Sequence, residues 1–139
     1  MLKDIQDNIL TQLTGTTGVK TLDVWAGAVE ELLKQPQLLP ALNLIYQGCG
    51  FKEKQVIGAN IAPNDMTFMF VITNKNLKSR RTCSEDIYTV IEAVRAKLIG
   101  HQIGAYGYLW PVSEELIEAE SGTMMYGLIY KVTSTKTGG

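Results

Sequence analysis

The imidazole and thiol groups of this chain are few: one histidine, His101, and two cysteines, Cys49 and Cys83. A catalytic triad or general base needs hydrogen-bonded partners that the sequence around His101 does not indicate. The histidine follows Gly100, a predicted helix stop, so we expect it on a surface loop. The cysteine spacing fits no zinc motif, and we expect two reduced thiols. We therefore predict no catalytic residue, no metal site and no enzymatic activity.

A glycine pair after an apolar strand, Gly48-Cys49-Gly50, superficially resembles a phosphate-binding turn. A dinucleotide fingerprint needs a third glycine that opens a helix. Here Phe51 and a charged, strand-like segment follow instead. We therefore predict a plain turn at 48–50 and no cofactor.

Two clusters of like charge could mediate binding. The basic cluster could contact nearby DNA or an acidic surface of a partner protein, or it could be a solvated loop without a binding role. Reading of a DNA sequence would also need a helix or strand that reaches the bases. If the two clusters are exposed on opposite flanks, a ring of identical subunits could pair them head to tail. The candidate interface residues are Lys75, Lys78, Arg80 and Arg81 in the basic cluster, and Glu114, Glu115, Glu118 and Glu120 in the acidic one.

The aromatic segment 106–110 alternates Tyr106, Tyr108 and Trp110 with small or apolar residues. Aromatic side chains can stack on nucleic acid bases, but such platforms carry interleaved basic residues that this segment lacks. We favour packing in the core or at a subunit interface.

The composition is that of one globular domain, residues 1–139, of which 134–139 are expected to be loose. Apolar residues make up 45% of the chain and the net charge is −1. Long-range attraction to nucleic acid or to an anionic membrane is therefore not implied. No apolar run approaches the length of a membrane span, and the start has no signal-peptide pattern. We expect the chain to begin in the cytoplasm.

The hydrophobic periodicity predicts two amphipathic helices and a mostly β remainder. Residues 114–120 have good helix propensity, but Ser121-Gly122 suits a tight turn, so we favour a strand there. Gly127 is a possible bulge. The predicted helices are 1–14, 28–34 and one capped by Thr82 that ends at Gly100; the predicted strands are 19–26, 41–47, 66–73, 106–110, 114–120 and 123–133. The fold class is α+β: a mixed, largely antiparallel β-sheet packed by an N-terminal helix and a long central helix, with a C-terminal hairpin.

One stretch permits a family comparison: Leu39-Pro40-Ala41, an apolar strand, then Tyr46, any residue and Gly48. This pattern resembles the Mu-like phage tail-terminator family. The likeness continues in the excursion 49–65, the apolar strand 66–73, the helix that ends in Leu98-Ile99-Gly100, and the closing strand 124–132. It covers most of the chain.

The resemblance implies a structural role in the virion tail, with assembly in the cytoplasm of the host bacterium. Tail terminators look like small α+β subunits that form hexameric rings, cap the tail tube and end its polymerisation. The implied partners are further copies of the chain, the tail tube protein, and a neck or sheath protein. No cofactor, no membrane and no sequence-specific nucleic acid are implied. The alternatives are another head–tail joining or neck protein, and a small ligand-binding regulatory domain with a deep apolar pocket.

Overall fold

The computed structural model describes residues 2–34, 36–51, 64–120 and 122–134. Five strands form one sheet in the order β1-β2-β3-β5-β4; β1 is parallel to β2, and the other neighbours are antiparallel. This confirms the α+β prediction. The elements in chain order are α1 (Leu2–Leu13), β1 (Thr21–Val24), a 3₁₀ helix (Val29–Lys34), β2 (Ala41–Phe51), β3 (Asn64–Lys75), α2 (Arg80–Leu98), β4 (Leu109–Glu120) and β5 (Thr123–Ser134).

Both α-helices pack on one face of the sheet, and the main core lies between them and the strands. In α1, Ile5, Ile9 and Leu13 recur every four residues and are buried, as one apolar helix face requires. Facing them, Phe70 and Tyr130 meet edge to face at 5.5 Å. The hydrophobic periodicity of the sequence therefore predicted the buried face of each helix correctly.

The opposite face has a smaller apolar cluster, which the 3₁₀ helix partly covers. Leu32 packs there against Val71 and Met125, and all three are buried. The predicted helix at 28–34 is thus present as a 3₁₀ helix. Runs of six residues are long for that conformation.

The C-terminal hairpin is confirmed. Glu120 pairs with Thr123, and Gly122 has φ +80°, which a glycine adopts without steric cost. Residues 114–120 form a strand, as we predicted from the tight turn at Ser121-Gly122 in spite of their helix propensity. The strand begins at Leu109, so the earlier aromatic residues precede it. Residues 135–139 of the tail predicted to be loose lie outside the described residues.

The turn predicted at 48–50 is wrong, because β2 continues to Phe51. The register with β3 shifts between Tyr46 and Gly48, and Gly48 has φ +146°. Glycine tolerates this conformation, so the strand absorbs one extra residue, Gln47, and resumes pairing at Gly48. Most of the predicted excursion, 52–63, lies outside the described residues.

The bulge proposed at Gly127 is also wrong. Gly127 pairs regularly with Val71 and with Glu115. The irregularities lie in β4, between Pro111 and Ser113 and between Leu116 and Glu118. A Cβ at position 127 would lie 2.7 Å from Cδ1 of Ile117, so the glycine makes room for that side chain.

Candidate assembly interface

The connection between β3 and α2 holds the predicted basic cluster, and we call residues 75–81 the basic loop. Side-chain bonds fix its shape: Asn76 Oδ1 accepts from the backbone N–H groups of Lys78 at 3.0 Å and Ser79 at 3.1 Å. The backbone N–H of Asn76 donates to the carbonyl of Gly122 at 2.9 Å, which ties the loop to the β4–β5 hairpin. The basic loop is therefore a preorganised surface.

Helix α2 begins three residues earlier than the capping box at Thr82 predicted. Ser79 is the N-cap, and its Oγ accepts from the backbone N–H of Thr82 at 3.1 Å. Arg80 and Arg81 consequently occupy the first helical turn, which contains no acidic residue. Cations are disfavoured there, because the positive end of the helix dipole lies at the N-terminus.

The four cationic side chains of the basic loop are exposed to solvent. Lys75, Lys78, Arg80 and Arg81 are all exposed, and none forms a salt bridge with another described side chain. Leu77 lies among them and is 76% exposed. Sequence reasoning identified the four cations but missed this leucine, whose position between charged residues gives no periodic signal.

The acidic cluster does not form one patch, because β4 alternates between the two faces of the sheet. Glu114 lies on the helix face, where Arg95 Nε donates to Oε2 at 2.9 Å and a second guanidinium nitrogen bonds Oε1. These bonds raise the pKa of Arg95 above its ordinary value. Glu115 and Glu118 are in register with residues of the opposite face, and Glu120 ends the strand.

The two clusters are not on opposite flanks. Glu120 pairs with Thr123, which pairs with Lys75, so the end of the acidic strand lies two strands from the basic loop. Neighbouring strands are about 4.8 Å apart, which gives a separation of roughly 10 Å. Head-to-tail pairing of the two whole clusters required that they lie on opposite flanks of the subunit, and they do not. The role of these residues in an interface remains a prediction.

Large apolar side chains are exposed along β4 and just before it. Tyr108, Trp110, Val112 and Leu116 are each at least half exposed. Leu109 between them is buried. Tyr108 and Trp110 of the aromatic segment therefore lie on the surface and not in the core. Leu116 is a second exposed leucine that the sequence reasoning missed.

His101 lies on the loop that follows α2, as predicted, and contacts α1 from there. Its Nε2 is 2.7 Å from Oδ1 of Asn8 on α1, and the side chain is half-buried. This contact holds the segment after α2 against α1. Among the described residues, no group of three or more His, Cys, Asp or Glu side chains is placed to bind a metal.

One cleft of the described surface adjoins the basic loop. It has a volume of about 410 Å³ and lies between the start of α2 and the hairpin. Within it the Ser84 hydroxyl contacts Met124 Sδ at 3.3 Å, and the Cys83 thiol contacts the Gly122 carbonyl at 3.8 Å. The Ser84 hydroxyl and the Cys83 thiol therefore each contact the hairpin, whereas Arg80, which also lines the cleft, forms no salt bridge with a described side chain. In the part of the chain that is described, no helix has the length and hydropathy to cross a bilayer.

Comparison with known proteins gives a structural likeness without a family assignment. No family model matches the chain, and no curated protein matches it in sequence. One solved chain, from the virion of a native gene transfer agent particle, is similar in structure with a TM-score of 0.61. The match covers 94% of each chain at 14% identity. At that identity the likeness shows the fold.

Proposed function

We propose that this chain is a structural protein of a phage or phage-like virion, and more specifically a tail terminator. It caps the tail tube, ends tail polymerisation and forms a ring, hexameric on the tail, that joins the tail to the neck. The observation that carries the proposal is the likeness to a gene transfer agent virion chain over 94% of both chains. The terminator assignment rests on the sequence resemblance around Leu39-Pro40-Ala41 and Leu98-Ile99-Gly100.

The proposed partners are other copies of the chain, the tail tube protein, and a neck or sheath protein. The role needs no catalysis and no cofactor. It needs preformed contact surfaces, and the hydrogen-bonded basic loop and the exposed apolar residues of β4 are the surfaces that we propose for this role. A ring also requires that two different surfaces of the subunit meet.

A neck or head–tail joining protein is the second candidate, because likeness to a virion chain does not specify a position in the particle. Electron microscopy of particles made without this chain separates the two. We expect over-long tubes of irregular length, restored to uniform length by the wild-type gene supplied in trans. Tails of normal length that fail to join heads would refute the terminator role and favour the neck role.

A further inference from the structure

We propose that the basic loop binds an acidic surface on a different protein of the particle. That surface has an apolar pocket that receives Leu77, and carboxylates at its rim that meet Arg80 and Arg81. The inference rests on the proposed function, which supplies the partner as the tail tube protein or a neck protein. It adds the chemistry by which the loop recognises that partner.

The cations and the leucine of the basic loop surround the turn of the β4–β5 hairpin. Lys75 is in register with Thr123, and Arg80 lines a cleft together with Thr123. A Cβ added at Gly122 would lie 3.0 Å from Cδ2 of Leu77, so the leucine side chain lies against the same turn. These groups therefore form one continuous surface at the end of the sheet where β3 finishes.

The centre of this surface is apolar and held in shape. Among the described large apolar side chains, Leu77 is the most exposed, at 76%. Hydrogen bonds from the backbone N–H groups of Lys78 and Ser79 to Asn76 fix the loop around it. A fixed loop loses less conformational entropy on binding than a loose one, so more of the free energy of burying the leucine contributes to affinity. An apolar centre with a charged rim is typical of a protein–protein contact.

Two arginines of the rim lie where the local structure disfavours them. Arg80 and Arg81 occupy the first turn of α2, at the positive end of the helix dipole. No acidic residue lies in that turn, and neither arginine forms a salt bridge with a described side chain. Helix stability therefore gives no reason for these two cations. Arginine binds carboxylates through two parallel hydrogen bonds, so an acidic partner explains both of them.

The surroundings of the loop favour a protein over a nucleic acid. Nucleic acid sites combine cations with aromatic side chains, or extend along a positively charged track. The loop contains no aromatic residue, and the next turn of α2 carries the exposed Glu85 and Asp86, which would repel a phosphate backbone. A protein partner can place its carboxylates opposite the arginines alone.

Strand β4 of a second copy does not offer the required surface. Its Glu114 is already bound by Arg95. Glu115 and Glu118 lie on the face of the sheet away from the helices, whereas Leu116 lies on the helix face. The exposed leucine and the remaining glutamates of β4 thus do not share a surface, so the partner is a protein of different sequence.

Binding to purified parts of the particle tests the contact. Tails and heads are each purified from cells that lack the gene for this chain, and the labelled full-length protein is titrated onto them and cosedimented. We expect binding to one of the two parts, with a Kd that rises at least about tenfold when Arg80→Gln and Arg81→Gln are combined. The Kd should also rise severalfold between about 0.05 and 0.3 M salt, because salt screens the carboxylate contacts. Absence of wild-type binding to both parts would overturn the proposal.

Matched substitutions separate the loop from the rest of the surface. Leu77→Ser should raise the Kd at least about fivefold, whereas Leu38→Ser, at a leucine that is 70% exposed, should leave it unchanged. Lys131→Gln removes an exposed cation roughly 26 Å from the hairpin turn along β5, and should also leave it unchanged. Equal effects of the loop variants and their controls would contradict the proposal.

Two further measurements identify the other occupants of the loop. A labelled DNA duplex of about 20 base pairs is titrated with the same protein. Binding that is tighter than to the particle parts, and lost with the arginine substitutions, would assign the loop to nucleic acid. Sedimentation of the protein alone measures self-association, and its weakening by the same substitutions would assign the loop to a second copy. Either result would overturn the proposal.

Thermal unfolding of the variants checks the fold. Arg80→Gln and Arg81→Gln remove cations from the positive end of the helix dipole, so the thermal midpoint should not fall. A fall would indicate a structural role for the arginines and count against the proposal.

Tail length separates this inference from the proposed function. If loss of the chain gives over-long tails, and the arginine variant restores uniform length as well as the wild type does, the contact is refuted and the terminator role stands. If loss of the chain leaves tails of normal length, while the arginine variant loses the binding that the wild type shows to heads, the terminator role is refuted and the contact stands.

Discussion

Replacing Tyr130 by phenylalanine should stabilise the protein, because its hydroxyl group is buried and finds no hydrogen-bond partner among the described residues. A buried, unpaired hydroxyl costs about 1–3 kcal/mol in protein mutational data. The ring itself packs against Phe70, and phenylalanine keeps that contact. We expect the free energy of unfolding at pH 7 to rise by about 1 kcal/mol.

The pH dependence of the free energy of unfolding gives a second, independent value for the effect of Tyr130→Phe. Burial raises the pKa of Tyr130 from 10.0 to about 12. Between these values the unfolded state has lost the proton that the folded state keeps, so the free energy of unfolding falls as the pH rises. At pH 11 this group should cost about 1.4 kcal/mol relative to pH 7. Tyr130→Phe removes that cost, so its advantage should grow to roughly 2.4 kcal/mol.

Urea unfolding at pH 7 and pH 11 measures both quantities in the wild type and the variant. Tyr108→Phe is the control, because Tyr108 is 58% exposed and its loss should change stability at pH 7 by less than about 0.5 kcal/mol. A Tyr130→Phe protein that is less stable than the wild type at pH 7 would refute the reasoning. It would mean that the hydroxyl group has a partner in solution.

Three further changes test the fold by chemical or thermal unfolding. Gly127→Val should destabilise by about 1–3 kcal/mol through a clash with Ile117, and Ile117→Ala should relieve most of that loss; no relief would disprove the clash. Ser79→Ala should cost about 1 kcal/mol by removing the N-cap of α2, and an unchanged midpoint would contradict that cap. Glu114→Gln should cost no more than about 1 kcal/mol, because its pair with Arg95 is partly exposed, and a loss that persists in 1 M salt would show that the pair is not a screened surface contact.

The elements that sequence reasoning predicted best are those in which one local signal dominates. The four-residue recurrence of Ile5, Ile9 and Leu13 specified both a helix and its buried face. The apolar, β-branched and aromatic stretch 66–73 predicted a strand, and the structure has β3 there, paired on both sides. In these segments the local period and the tertiary packing agree.

The wrong predictions concern two glycines, one that allows an unusual backbone conformation and one that leaves room for a neighbouring side chain. Gly48 was read as part of a turn, but it lets β2 shift register and continue. Gly127 was read as a bulge, but it accommodates a side chain from the neighbouring strand. Neither use is visible in a single sequence, because each depends on which strand lies alongside.

The candidate interface was predictable in its charges and not in its geometry. The cations of the basic loop could be listed from the sequence, but the exposure of Leu77 follows from the hydrogen bonds of Asn76 and Ser79. The division of the glutamates between two faces follows from the pairing of β4 with β5. The binding of Arg95 to Glu114 joins residues nineteen positions apart on different elements.

The position of the chain in the particle tests the central claim most directly. A peptide tag at the C-terminus, beyond the last residue of β5, can be labelled with gold in purified particles and located by electron microscopy. The account predicts label at the head-proximal end of the tail, at one position per particle. Label distributed along the tail, at its distal tip, or missing from purified particles would contradict it.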